Sequence, residues 1–163
     1  MQRETAQFLE LLRPVPGYKV LDVTAHADAL TLALAEFLSP VGGSVDAVLY
    51  PGIHETVVHP RITCASVETF DRPFKAPARS YDVVIFRDIL DRHRFAERMV
   101  RLGYTTLANA AVIIIVQRKG SLDGSGVMEL LDRCEFRAAN RVEIFADSDL
   151  FVARKMHMWG NGL

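Results

Sequence analysis

Apolar and polar positions along this chain follow two rhythms. Short runs rich in apolar and β-branched residues at 19–23, 44–49, 61–64, 81–86 (Tyr-Asp-Val-Val-Ile-Phe) and 111–116 read as strands. The last is a continuous run of the kind buried on both faces of a sheet. Helical spacing fills the intervals. Residues 5–13 place Phe8, Leu11 and Leu12 on one side, and Pro14 and Pro16 close the segment. Residues 29–38 align Leu30, Ala33, Leu34, Phe37 and Leu38 on one face. Phe95, Met99, Leu102 and Thr106 recur at a helical period, as do Val127, Leu130, Leu131 and Cys134. Residues 52–60 have room for one or two helical turns. Residues 67–80, with Pro73, Pro77 and scattered charge, read as mostly loop, and 120–126 as a Gly/Ser loop. Two last strands, 137–145 and 149–154, are joined by Ala146-Asp147-Ser148.

Strands alternating with helices predict an α/β fold: a doubly wound, mostly parallel sheet with helices on both faces. The final connection is too short for a crossover, so residues 149–154 should run antiparallel to their neighbours.

Composition narrows the function classes. The 163 residues suit one domain with a substantial core, and 50% hydrophobic with 24% charged residues indicates a folded chain. A net charge of −1 offers no basic excess for phosphates, so no nucleic-acid partner is expected. The apolar run 110–116 is too short to span a bilayer, and charges at Arg3, Glu4 and Glu10 argue against a signal peptide. Cys64 and Cys134 stand in unrelated contexts and read as small core residues of a reduced, cytoplasmic protein without a membrane partner.

The chemistry-bearing stretch is Tyr18-Lys-Val-Leu-Asp-Val-Thr-Ala-His-Ala-Asp28, followed by the helical 29–38, a Gly42-Gly43 turn and the second strand. It resembles the opening of the class I S-adenosylmethionine-dependent methyltransferases, whose first strand ends in Asp/Glu-x-Gly-x-Gly-x-Gly. Asp22 is kept; Thr24, His26 and Asp28 stand at the glycine positions, and Leu49 at that of the family's ribose-binding acid. The resemblance continues in Tyr81-Asp-Val-Val-Ile85, in Glu129-Leu-Leu-Asp-Arg-Cys-Glu-Phe136 and in Leu150-Phe-Val-Ala-Arg-Lys155. It implies a cofactor pocket at Asp22, Thr24, Ala25, His26, Asp28, Leu49, Tyr50, Ser66 and Arg87. The connections after the second and third strands, which wall the adenosine half in that family, are short here.

The family's glycines let the backbone turn tightly and approach the cofactor without Cβ atoms in the way. Asp28, just before the second helix, suits an N-cap, where its carboxylate would occupy or repel the anion position. Leu49 cannot bond two ribose hydroxyls. The loop therefore reads either as a capped α/β turn that binds nothing or as a divergent pocket.

Phe86-Arg-Asp-Ile-Leu-Asp-Arg-His-Arg94 follows the fourth strand, where the family lines its methyl-transfer site. Asp88 and His93 are the candidate catalytic pair, an orienting carboxylate and a general base; the alternative is a charged helix start capped by Asp91. His54, His59 and His157 have no metal-ligand spacing. No G-x-G-x-x-G follows the first strand, and no acidic phosphoacceptor constellation is present. The expected function is a degenerate methyltransferase-like binding, regulatory or partner-subunit module with weak or no S-adenosylmethionine binding. The alternative is an active S-adenosylmethionine-dependent methyltransferase acting on a small molecule or protein. The tail after Lys155, with the chain's sole tryptophan, Trp159, is expected to make a contact, either in a homo-oligomer or folded back on its own sheet.

Overall fold

The computed structural model describes residues 2–156. The tail contact expected of Trp159 lies outside the described residues. The chain forms α1 (Gln2–Leu9), β1 (Lys19–Thr24), α2 (Ala29–Leu38), β2 (Ser44–Leu49), β3 (Ile62–Ser66), β4 (Tyr81–Arg87), α3 (Ala96–Thr106), β5 (Leu107–Arg118), α4 (Gly124–Arg133), β6 (Phe136–Val142) and β7 (Ser148–Lys155). One sheet takes the seven strands in the order β3-β2-β1-β4-β5-β7-β6. The first five are parallel. β7 is inserted between β5 and β6, antiparallel to both, as the short final turn predicts.

Strand parity sorts the core into two layers. Val20, Val83, Ile85, Ile114 and Leu150 pack on one face with Phe8, Leu30, Leu34 and Leu38 of α1 and α2. Leu21, Val23, Val84, Phe86, Ile113 and Ile115 pack on the other with Met99, Val100, Val127 and Leu131 of α3 and α4. Asp22, Thr24 and Arg87 belong by the same parity to the α2 face. Three polar side chains thus enter an otherwise apolar layer.

Several boundaries differ from the sequence expectation. The first helix covers Gln2–Leu9, not 5–13. Pro14 disfavours a helical Arg13, and the chain leaves through tight turns from Leu11 N to Phe8 O and from Leu12 N to Leu9 O. Helix α2 is turned so that Thr31, Leu34, Ala35 and Leu38 are buried, while Phe37 is 37% exposed. Residues 52–60 form no helix, because their polar groups bond to the β1–α2 loop instead. Asp91 does not cap α3, whose cap position is Phe95 without a side-chain bond. The amides of Arg92 and His93 both turn back to Ile89 O, which delays the helix. Cys64 is exposed rather than in the core, since no helix covers β3; Cys134 is buried as expected.

Candidate functional site

The parallel ladder brings Ser66, Leu49, Thr24, Arg87 and Val116 into one row at the carboxyl ends of β3, β2, β1, β4 and β5. The chain direction across the sheet reverses between β1 and β4. A crevice opens outside such strand ends, where α/β sheets hold ligands. The expected pocket residues Thr24, Leu49, Ser66 and Arg87 therefore share one rim, with Ala25, His26 and Asp28 in the loop above β1.

Arg87 dominates that rim. It is the last residue of β4, and its register partner on β1 is Thr24, so Asp22 lies diagonally across on the same face. Its Nε and Nη2 donate to the two Asp22 oxygens at 3.1 and 2.8 Å. Nη2 also donates to Thr31 Oγ1 at 2.6 Å, and Nη1 to Asp28 Oδ1 at 3.0 Å. The Thr31 hydroxyl donates in turn to Asp22 at 3.0 Å. Asp22 and Thr31 are fully buried and Arg87 is 4% exposed. Burial alone would lower the guanidinium's pKa; Asp22 and then Asp28 outweigh it, and the net shift is upward. Asp28 is the N-cap of α2, its Oδ1 accepting from Leu30 N at 2.9 Å. His26 lies half exposed, with Nε2 3.4 Å from Asp28 Oδ2.

A second layer closes the loop from above. Gly52 sits so close to Ala25 that a Cβ would fall 1.9 Å from the Ala25 carbonyl oxygen. Ala27 N donates to His54 Nδ1 at 2.9 Å. Nδ1 must then be the acceptor, which places the proton on Nε2, donating to Tyr50 O at 2.7 Å. Glu55 N donates to Ala27 O, and His26 Nδ1 faces Ile53 O at 3.1 Å. Residues 50–55 are thus fastened to residues 24–28.

Tyr50 points into the core on the α3 side. Its hydroxyl donates to Arg72 O at 2.6 Å, and its ring stacks on Phe70 and meets His93 edge-on. His93 is buried, with Nδ1 accepting from Phe95 N and Nε2 engaging Arg72 O. Both ring nitrogens of this candidate base are therefore committed to backbone. Asp88 sits just past β4 at φ +57°, in the left-handed region that strains a non-glycine residue. Its amide bonds Val116 O, and its carboxylate accepts from Arg118 N at 2.8 Å. No hydrogen bond joins Asp88 to His93 among the described residues.

Two clefts lie beside the β1–β4 part of this rim. One, of about 200 Å³, lies between α1 and the strand ends and includes Thr5, His26, Asp28 and Asp88. The other, of about 450 Å³, includes Gly52, Asp88, Arg92 and Arg118. A third runs past Ser66 with Glu68, Arg72 and Lys75. Thr31, Gly52 and His54 were not among the sequence-derived site residues. Thr31 carried a signal, as a polar residue within Ala-Leu-Thr-Leu-Ala-Leu-Ala. His54 carried none, because its partner Ala27 is a backbone amide in another loop. Among the described residues no group of three or more acidic, histidine or cysteine side chains could hold a metal ion, and no helix is long and apolar enough to cross a membrane.

The architecture matches known structures. A S-adenosylmethionine-dependent methyltransferase from Aquifex aeolicus superposes with a TM-score of 0.74 at 13% identity, over 93% of this chain and 89% of that one. The fold is that of the class I methyltransferases. The complex between the Haloferax volcanii Trm112 methyltransferase activator and a methyltransferase aligns at TM-score 0.71 and 11% identity, covering 94% of this chain and 90% of the other. A Haemonchus contortus phosphoethanolamine N-methyltransferase, in complex with phosphomonomethylethanolamine and S-adenosylhomocysteine, aligns at 0.70 and 13% identity over 96% of this chain; the chain spans about half that protein's length, 53%. No family model and no curated protein sequence matches.

Proposed function

We propose that this chain keeps the methyltransferase frame but not its cofactor site, and acts as a binding, regulatory or partner-subunit module. The observation that carries this reading is the Arg87 guanidinium, buried between Asp22, Asp28 and Thr31 at the β1–β4 crevice. In the family the resemblance implies, that crevice receives the amino-acid end of S-adenosylmethionine. Here a cation of the protein's own satisfies Asp22, the acid that the resemblance matches to the family's loop, and the helix-capping Asp28. The close approach of Gly52 to Ala25 leaves no layer for a ligand between the two loops. Tyr50 is turned into the core against Phe70 and Met99, and Leu49 offers no acceptor for ribose hydroxyls. The residues present do not fit S-adenosylmethionine. A protein partner accords with the activator complex among the structural neighbours.

Isothermal calorimetry with S-adenosylmethionine and S-adenosylhomocysteine tests the proposal. The expected dissociation constant is weaker than roughly 100 μM. Low-micromolar binding, or cofactor carried through purification, would overturn it. The second reading, an active methyltransferase with an altered cofactor pose, draws on the clefts beside His26 and Asp88; methyl transfer from labelled cofactor would decide for it.

A further inference from the structure

The chain's near-neutral total charge conceals a local cluster of cations. Arg92, Arg94 and Arg98 precede or open α3, and Arg72 and Lys75 lie in the loop that packs beneath them. The two segments are joined by His93 Nε2 at Arg72 O and by Arg94 N donating to Phe70 O at 3.2 Å. All five cations are exposed, and none takes part in an ion pair or a side-chain hydrogen bond among the described residues. Five arginines elsewhere, Arg87, Arg101, Arg133, Arg137 and Arg141, each meet a carboxylate, while Arg61 and Arg154 bond backbone carbonyls. Glu97, the acid within the cluster, is already held by Arg101 and Arg133. Glu68 and Asp71 are exposed acids of the adjoining loop, and Glu68 lines a cleft with Arg72 and Lys75.

The arginines are placed on aromatic rings. Arg92 lies 4.8 Å from the centroid of Phe70; Arg94 and Arg98 lie 5.4 and 5.9 Å from that of Phe95, which is 39% exposed. A guanidinium resting on a ring is held in place while its N–H edge stays available for a planar, two-oxygen acceptor.

We infer that this surface docks an acidic protein segment, its carboxylates taking the N–H forks of Arg92, Arg94 and Arg98 and its apolar side chains covering Phe95. Recognition of acidic motifs by arginine clusters is an established mode of peptide binding. Single-stranded nucleic acid fits less well. Phe70 is stacked by Tyr50 and covered by Arg92, which leaves the part-exposed Phe95 without a second ring beside it for successive bases to stack on. The inference goes beyond the proposed function and does not depend on it, since a cofactor-binding protein could carry the same surface.

The test is fluorescence anisotropy of the intact protein with a fluorescein-labelled peptide of alternating Glu, Asp and Leu, about twelve residues long, beside an oligothymidylate of equal charge. The peptide is expected to bind at low salt and to weaken as salt rises. The triple charge reversal Arg92→Glu, Arg94→Glu, Arg98→Glu should weaken it at least about tenfold, with Arg137→Glu within about twofold of the parent. Circular dichroism melting confirms that each variant is folded; if the triple variant is not, Arg94→Gln with Arg98→Gln replaces it, with at least about a threefold loss expected. Absence of peptide binding, a folded variant that binds as the parent does, or tighter binding of the oligothymidylate would each overturn the inference. None of these outcomes bears on S-adenosylmethionine affinity, which calorimetry reads separately.

Discussion

Arg87 at the end of β4 and Asp22 in the middle of β1 form a two-pronged ion pair across neighbouring strands, at 3.1 and 2.8 Å, with almost no access to water. The pair joins the core to the rim of the crevice. It also makes each partner dependent on the other.

Replacing Arg87 by Leu should cost about 3–5 kcal/mol in urea denaturation, because Asp22 is left buried without its counter-charge. Adding Asp22→Asn to the same protein should recover a large part of that loss, since a neutral side chain removes the uncompensated charge. A single variant as stable as the parent, or a double variant no better than the single, would contradict the network.

The sheet was legible in the sequence because two-residue and helical periods survive in the apolar positions, from Val20-Leu21 to Ile113-Ile114-Ile115. The C-terminal antiparallel strand followed from a turn too short to cross over. The capping role of Asp28 followed from its place before the apolar run. The crevice was legible only as a set of positions. That Arg87 satisfies Asp22 depends on the β1–β4 register, which pairs Thr24 with Arg87 and so puts Asp22 on Arg87's face. No local pattern encodes a register between strands so far apart in the chain. The loop 52–60 misled for a related reason: its conformation is set by bonds to Ala27 and not by its own propensities.

Buried tyrosines predict loss of stability in alkali. Burial raises the pKa of Tyr18, Tyr50 and Tyr81 above the ordinary 10.0, with the hydrogen bond to Asp46 adding to the shift at Tyr81. A folded-state pKa above the unfolded one means that the unfolded chain releases protons first. The stabilisation is therefore complete below pH 10 and declines as pH rises beyond it. Absorbance at the phenolate band should rise together with loss of circular dichroism. Ionisation of Tyr18, Tyr50 and Tyr81 well before unfolding would refute the assignment.

The clasp between residues 50–55 and 24–28 should yield to single changes. His54→Ala leaves the Ala27 amide and the Tyr50 carbonyl without partners, at an expected cost of about 1–3 kcal/mol. Amide exchange at Ala27 and Glu55 should quicken, while Val20, in the sheet, stays protected.

Gly52→Ala acts on the same contact by another route. A Cβ 1.9 Å from the Ala25 oxygen cannot be accommodated by rotating a side chain, because the obstacle is backbone. The 50–55 segment should lift, with faster exchange at Glu55 and a lower melting temperature. An unchanged melting temperature and exchange pattern would show that the two loops are not in contact.

Lys155 supplies the last prediction. Near the end of β7 it is buried, and its ammonium donates to Tyr104 O and Leu107 O at 2.9 and 2.8 Å, where α3 runs into β5. A cation is favoured at a helix C-terminus, where carbonyls lack amide partners. Burial nevertheless lowers its pKa, and Arg79 lowers it further. Lys155→Met keeps the stem and removes the ammonium from both carbonyls, Tyr104 O still accepting from Leu107 N, so a loss of about 1–3 kcal/mol is expected. The pH dependence has the opposite sign to that of the tyrosines. A lysine whose folded pKa is depressed disfavours the folded state while protonated, so its own contribution to stability rises with pH between the depressed value and the ordinary 10.5. In Lys155→Met that rise should vanish from the difference between the two denaturation profiles. A variant at least as stable as the parent at neutral pH would mean that the carbonyls find other donors and that the ammonium's hydrogen bonds do not hold the α3–β5 junction.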